Sequence, residues 1–188
     1  MSVFIFEKLD IEGAYLITSQ FSEDIRGSFT KYFEINVFQQ NGIDFSGSEF
    51  FISVSKENVV RGMHFQLNHP QIKFVSVFAG KIFDVIVDLR KNSRTFGQWR
   101  GYYLSADNHR NLLVPRGCAH GFAAVAGNCL VSYCCDGKYD KTTDVGIRFD
   151  DPDIGIEWPI SLQKSIVSDR DKKLMSFSKF KDNYHFDF

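Results

Sequence analysis

His64 lies in V-V-R-G-M-H-F-Q (59–66), a run of strand-like residues, and supplies there the one side chain that exchanges a proton near neutral pH. Alternation across a strand would put Arg61, Met63 and Phe65 on one face and Val60, Gly62, His64 and Gln66 on the other. A lone strand histidine is more often a satisfied core or rim residue than a catalyst, so His64 needs companions. Lys73, His120, Tyr133 and Asp171 are the candidates. Lys73 opens an otherwise apolar strand, K-F-V-S-V-F, so its ammonium is either a charge at a strand end or one aimed into a pocket. His120 sits in P-R-G-C-A-H-G-F, where Pro115, Gly117 and Gly121 constrain the backbone, and reads as the only ionisable group pointing out of a tight apolar turn. Tyr133 shares a strand face with Val131 and Cys135, where a buried phenol commonly donates one hydrogen bond in a core. Tyr139 follows in a loop, placed to stack on a ligand or to shield a rim. Asp171, in S-D-R-D, fits the third helical position of a capping box opened by Ser168, which explains it without any catalysis.

Other chemistries find little support. Metal-binding β barrels carry clustered His and Glu, whereas the stretch after His64 reads H-F-Q-L-N-H-P, so only a convergence of His64, His69 and His120 could serve, and a metal is not expected. The chain has no G-x-S-x-G elbow, P-loop or dinucleotide fingerprint, so no nucleotide cofactor is expected. Cys118, Cys129, Cys134 and Cys135 show no C-x-x-C spacing and read as small buried hydrophobes. The 22 Lys+Arg and 23 Asp+Glu are interspersed, net charge −1, which argues against a nucleic-acid partner. The N-terminus lacks the features of a signal peptide and no apolar run reaches membrane-spanning length, so a cytoplasmic protein without a membrane partner is expected.

These side chains need a scaffold, and 188 residues suit a single domain, 1–188, with a core that needs no staples. With 20 Phe, 7 Tyr and only 4 Pro, the composition favours strands and a mostly β protein. Short strands are expected at 14–18, 28–35, 50–55 and 59–66, with F-S-E-D-I-R-G (21–27) as a turn, 36–47 irregular or a short helix, and 68–71 a loop. The runs 73–78 and 82–89 flank A-G-K and predict a hairpin turning at Gly80. Further strands follow at 101–104, 111–114, 121–125 and 129–135, and a short helix at 168–176. Regular short strands of this kind predict a sandwich or a barrel with a pocket.

The motifs then fall into a familiar order. D-I-R-G-S-F (24–29), V-V-R-G-M-H-F-Q, Q-I-K-F-V, G-K-I-F-D-V-I-V-D-L-R, S-R-T-F-G-Q-W, V-P-R-G-C-A-H-G-F, Y-x5-Y, I-G-I-E-W-P and S-D-R-D together resemble the dTDP-4-dehydrorhamnose 3,5-epimerase family, from about Asp24 to Asp171. The resemblance implies a cofactor-independent cupin jelly-roll barrel with a few short helices, in a homodimer whose N-terminal strands join the neighbour's sheet and site. The implied substrate is a nucleotide-linked 4-keto-6-deoxysugar used in making surface polysaccharide. It also implies roles: His64 as general base, Asp171 as the carboxylate that orients it, Tyr133 as the acid on the opposite face of the ring, Lys73 near the C4 oxygen and His120 close by. Arg26 and Arg61 match phosphate-contacting positions, Phe29 and Tyr139 match base-contacting aromatics, and Trp158 is expected nearby.

The chain departs from the family pattern at several of these positions. Lys31 stands where dTDP-specific members usually carry Glu; a lysine donor suits the N3 acceptor of cytosine, so a CDP-linked substrate is expected alongside a dTDP-linked one. Glu49 and Phe51 replace the usual Gln and Asn, and Cys134-Cys135 the usual Lys-Thr, which bears on the sugar contacts and leads us to expect inversion at C3, with C5 open. The competing readings are a 3,4-ketoisomerase on the same fold, a non-catalytic nucleotide-sugar binding module and a metal-dependent cupin oxygenase. Tyr133 argues against the ketoisomerase, which needs a histidine pair on one face.

Overall fold

The computed structural model describes residues 3–186. In chain order the strands are β1 (Ile5–Lys8), β2 (Tyr15–Thr18), β3 (Gln20–Asp24) and β4 (Gly27–Lys31), followed by helix α1 (Ile35–Gln40). Then come β5 (Glu49–Ser55), β6 (Val59–Gln66), β7 (Lys73–Asp88), β8 (Trp99–Ser105), β9 (Arg110–Val114), β10 (Cys118–Cys135), β11 (Asp144–Gly146), β12 (Ile166–Val167) and helix α2 (Phe177–Asn183). One sheet runs β1-β2-β9-β7-β10-β6-β11, with β5 added on β10, β8 on β7 and β12 on β6, while β3 and β4 form a separate two-stranded ribbon.

Two long strands organise everything else. β7 and β10 stay antiparallel partners from Cys118↔Asp88 to Cys135↔Lys73. Near one end β7 also pairs β9 and β10 pairs β5; near the other, β7 pairs β8 and β10 pairs β6. The ribbon bends in the middle, so the two ends become two half-sheets facing each other across one core. Ile82, Ile86, Leu104 and Phe122 from one half meet Val75, Val77, Leu112 and Val131 from the other. This is the jelly-roll layout that the family resemblance implied, within the sandwich-or-barrel class that the short-strand pattern predicted.

The predicted hairpin at Gly80 is therefore absent. Gly80 does adopt a positive φ of 74°, but as the bend of a continuous strand; a Cβ there would meet Ala126 O and Cys129 Sγ at 2.9 Å. The two expected strands at 121–125 and 129–135 are likewise one, with register shifts between Ala124 and Val131 opposite the bend. A hairpin and a bent strand share the same local signal, a glycine between two apolar runs, and only the partner strand distinguishes them. The same partnership explains why β7 reads apolar almost throughout: both faces are covered. The outer face of one half-sheet (Phe83, Val85, Val87) is capped by α2 through Phe177 and Phe180, and that of the other (Ile17, Phe74, Leu113) by α1 through Phe38.

Three smaller expectations also shift. F-S-E-D-I-R-G is not all turn: its first half is β3, and the turn is confined to Ile25-Arg26, where Asp24 accepts from the Arg26 backbone and guanidinium. Ile35, expected in a strand, begins α1. The C-terminal helix is displaced, because 168–176 contains only a single 3-10 turn, Asp171–Lys173, and the longer helix starts after Ser176, whose hydroxyl accepts from Lys179 N. Among the described residues no helix is long and apolar enough to cross a membrane.

The alternation expected in β6 breaks at Gly62. His64 pairs with His120 but Arg61 pairs with Phe122, so β6 holds one more residue than β10 over this stretch, and Arg61 and His64 turn to the same side. The bulge brings the two backbones together at Gly62 and Gly121, where a Cβ on Gly121 would lie 2.6 Å from Arg61 O and 2.7 Å from Met63 Sδ. Gly121→Ala is expected to cost about 1–3 kcal/mol through this overpacking. The check is a urea titration: a lowered midpoint at unchanged slope is expected, and an unchanged midpoint would mean that β6 and β10 can separate freely here.

Candidate active site

Inside the barrel lies a cavity of about 460 Å³, lined from both half-sheets. β6 contributes Arg61, His64 and Gln66; β10 contributes His120, Gly121 and Tyr133; β7 contributes Lys73, and β5 contributes Glu49, Phe51 and Ser53. Gln71, Tyr139 and Asp144 complete the wall from loops and β11. Lys73, His64, His120 and Tyr133, chosen separately from the sequence, thus share one chamber. The bends and bulges are the reason. Lys73 and Asp84 are an odd number of residues apart on β7, as are His120 and Tyr133 on β10, so an unbroken pleat would point each pair to opposite faces.

His64 is held by a carboxylate from the far end of the chain. Its Nε2 lies 2.9 Å from Asp171 Oδ1, and Asp171 Oδ2 accepts from the Gly62 backbone N–H at 3.1 Å. Asp171 is nearly buried, and burial works to raise its pKa; the hydrogen bond and charge of His64, with the Gly62 and Ser168 contacts, outweigh it and hold the carboxyl below its usual range. An ionised carboxylate accepts only, so His64 Nε2 carries the proton and Nδ1 presents its lone pair. The hydrogen bond expected of a Ser168 cap exists, with Ser168 Oγ accepting from Asp171 N at 3.0 Å, but the 3-10 turn starts at Asp171 itself, so Asp171 is its first residue and not its third, and its side chain is available to the histidine.

A second pair, not anticipated, stands behind the first. His120 Nε2 is 2.8 Å from Asp84 Oδ1, and both side chains are almost wholly buried. His120 lies in a strand rather than a tight turn, and it is not the only ionisable group there. Burial pushes the Asp84 carboxyl up despite His120 and Lys73 nearby, and its Oδ2 has no hydrogen-bond partner among the described residues. A signal existed in the sequence: Asp84 interrupts I-F-D-V-I-V, and a lone charge in a fully buried strand calls for a partner. The next acid in that run, Asp88, misleads by comparison, because Arg90, Ser93 and Thr95 satisfy it structurally.

Tyr133 and Lys73 have fewer polar partners. The Tyr133 ring stacks on Phe51 (centroids 4.8 Å apart, 14° between planes) and meets the edge of His120 at 5.8 Å. Burial, reinforced by Asp84, pushes the phenol up, so it stays protonated and remains a donor. Arg61 is braced by Ser55 Oγ at 2.9 Å from Nε and by Val54 O at 3.2 Å from Nη2. Tyr139 donates to Asp144 Oδ2 at 2.8 Å, and Arg170 reaches the same oxygen at 2.7 Å. Gln66, placed on the His64 face by strand alternation, and Gln71, for which the sequence offered no signal, fasten the Tyr139 loop by accepting from Asp140 N and donating to Gly137 O, respectively.

Several expected residues lie elsewhere in this chain. Arg26, Phe29 and Lys31 sit on the β3–β4 ribbon outside the cavity: Arg26 pairs with Asp24, Phe29 is exposed, and Lys31 Nζ is 2.6 Å from Glu34 Oε2. Trp158 packs on Phe83 and donates its indole N–H to Phe149 O, so it is part of the outer core and does not line the cavity. His69 is also outside the lining, and among the described residues no three His, Cys, Asp or Glu side chains gather as a metal site would need.

Lys73 has no ion-pair partner among the described residues, and burial lowers its pKa against weaker support from Cys135, Asp144 and Asp84. A lysine that holds its proton less tightly when folded costs stability in full while both states are charged, and the cost fades as pH rises from the depressed folded pKa toward the unfolded value of about 10.4. Lys73→Met is therefore expected to raise the melting temperature at neutral pH, with the advantage shrinking as pH rises toward about 10.4 and absent above it. Calorimetry across that range checks it; a lower melting temperature for the variant at pH 7 would contradict it.

The comparisons with known proteins point to one family. The family model for dTDP-4-dehydrorhamnose 3,5-epimerase matches residues 8–179. A dTDP-4-dehydrorhamnose 3,5-epimerase of Methanothermobacter thermautotrophicus is 44% identical, over 92% of this chain and 94% of that protein. Among solved structures, a Bacillus anthracis dTDP-4-dehydrorhamnose 3,5-epimerase with TDP and PPi bound superposes with a TM-score of 0.89 at 40% identity, covering 93% of this chain and 100% of that one. A Legionella pneumophila dTDP-6-deoxy-D-glucose-3,5-epimerase in complex with dTDP-4-keto-L-rhamnose superposes with a TM-score of 0.93 at 31% identity, covering 98% of each chain. With a match that spans nearly the whole barrel and every element of the cavity, the chain belongs to the dTDP-4-dehydrorhamnose 3,5-epimerase family.

Proposed function

We propose that this chain inverts C3 of a dTDP-linked 4-keto-6-deoxyhexose by removing a proton to form an enolate and returning one to the other face. The observation that carries this reading is the division of labour across the cavity. A histidine oriented by Asp171 comes from one half-sheet, and a phenol kept protonated by burial comes from the other. The C4 ketone acidifies the hydrogens at C3 and C5, so the site needs a base, a partner for the enolate oxygen and an acid. His64 Nδ1 takes the carbon-bound proton, and Asp171 stabilises the imidazolium that forms. The Lys73 ammonium, short of a fixed anion, is placed to meet the charge developing on the C4 oxygen, commonly the largest contribution in such reactions. Tyr133 then gives its phenolic proton to the carbon, and solvent restores both groups. Proton transfer of this kind contributes roughly 10²–10⁴-fold at each group.

The fork of the Arg61 guanidinium suits the diphosphate, and Tyr139 suits the base or sugar at the mouth of the cavity. Arg26, Phe29 and Lys31 reach a nucleotide only if the β3–β4 ribbon serves a neighbouring subunit's cavity, which is the role we assign it in a homodimer. Support comes from the ribbon's separation from the main sheet and from exposed Phe50, Ile52 and Val54 along the outer face of edge strand β5. Lys31 is engaged by Glu34, so it is not an uncommitted donor for cytosine, and thymidine rather than cytidine is the base we favour. A ketoisomerase would need a second mobile histidine, whereas His120 is tied to Asp84. Four cysteines without disulfides fit a cytoplasmic enzyme.

The deciding experiment incubates the enzyme in D₂O separately with dTDP- and CDP-4-keto-6-deoxyglucose and reads label and configuration by mass and proton NMR after reduction. Deuterium at C3 of an inverted dTDP product is expected; label at both C3 and C5 would make it a double epimerase, a preference for CDP would reverse the base assignment, and no exchange would remove the epimerase reading. Asp171→Asn keeps the shape but loses the charge that selects the His64 tautomer, and kcat is expected to fall by about 10²–10⁴-fold with the melting temperature little changed. Full activity in that variant would remove Asp171 from the mechanism.

A further inference from the structure

Inversion, as opposed to mere exchange, depends on where the Tyr133 phenol stands when the enolate is present. Among the described residues no carboxylate or main-chain group fixes it. The Ser53 hydroxyl is close enough to favour its ionised form but makes no well-formed hydrogen bond, so the ring is placed chiefly by packing. One wall of that packing is rigid: His120 meets the ring edge-on and is itself locked by Asp84 in the buried interior. The other wall is Phe51, stacked face to face on the phenol. Phe51 lies opposite Tyr133 in the β5–β10 register, on a strand whose only sheet partner among the described residues is β10, and it is 44% exposed. Its neighbours Phe50, Ile52 and Val54 point outward, so among the aromatic side chains of β5 Phe51 alone reaches the cavity.

We infer that Phe51 is a positioning residue for the acid: its ring holds the Tyr133 phenol in line with the enolate carbon and so sets how often proton uptake by His64 ends in inversion. This rests on the epimerase reading above. The enolate has two fates. His64 can return a proton to the face it came from, which leaves exchanged substrate of unchanged configuration, or Tyr133 can deliver its proton to the opposite face, becoming a phenolate that water reprotonates. Loosening the phenol slows only the second.

The test uses full-length Phe51→Leu, which keeps an apolar side chain on the strand but removes the stacking face, and Phe51→Tyr, which retains it. In D₂O, the ratio of label in unchanged configuration to label in inverted product is measured for each. Phe51→Leu is expected to raise that ratio by about 2- to 10-fold, the range an aromatic pair supports, and Phe51→Tyr to restore the wild-type ratio. An unchanged ratio in Phe51→Leu, whether or not overall turnover falls, overturns the inference alone. Absence of exchange in the wild-type enzyme overturns the epimerase reading and this inference with it.

Discussion

The structure depends on one constraint: β7 and β10 remain hydrogen-bonded partners along their whole length while bending together. An antiparallel pair of this length has to curve if it is to bury both its faces and enclose a core. Gly80 supplies the bend on one strand, and the register shifts between Ala124 and Val131 supply it on the other. Every other strand of the main sheet except β1, β2, β11 and β12 attaches directly to one of these two. The bend also resets which side chains face inward. Lys73 and Asp84, and likewise His120 and Tyr133, share the interior because the pleat is interrupted between them. The bulge at Gly62 does the same for Arg61 and His64, so the architecture and the contents of the cavity have a common origin.

Charges in this interior are arranged with unequal compensation. His64 and His120 each have a carboxylate within hydrogen-bond distance, but the two pairs differ in setting. Asp171 also accepts from a backbone N–H and stays easily ionised, whereas Asp84 is wholly buried with one oxygen unsatisfied and is pushed toward its neutral form. Lys73 is the least compensated of all. A buried group without its partner is costly in a resting protein and useful where charge appears during a reaction, because nothing has to be displaced before it can respond. Asp88 makes the contrast: five donors from Arg90, Ser93 and Thr95 hold it, and it has a purely structural part.

The proposed acid is held differently from the proposed base. His64 is oriented by directional hydrogen bonds; Tyr133 is oriented mainly by ring packing, between a locked histidine and a phenylalanine on a thinly supported strand. A hydrogen-bonded phenol would be better fixed but would have its proton already engaged. Packing leaves the O–H free to be given away, and in the proposed mechanism this makes the stereochemical outcome depend on a side chain that takes no part in proton transfer.

The chemical inventory, the mostly β class and the family pattern were all legible in the sequence, because they rest on residue types and on local periodicity. His64, Lys73, His120 and Tyr133 were recognisable in this way, as was the hydrogen bond that Ser168 Oγ accepts. Other features were decided only by the tertiary structure. Gly80 looks the same in a hairpin as in a bent strand; Asp171 is 107 residues from the histidine it orients, and the Asp84–His120 pair spans 36. Arg61 and His64 share a face only because β6 carries one residue more than β10 across Gly62. Sequence determines which groups are available and how each segment prefers to lie, but the direction a strand side chain points is set by counting from the nearest bulge. That count is a property of two paired strands and cannot be read from either alone.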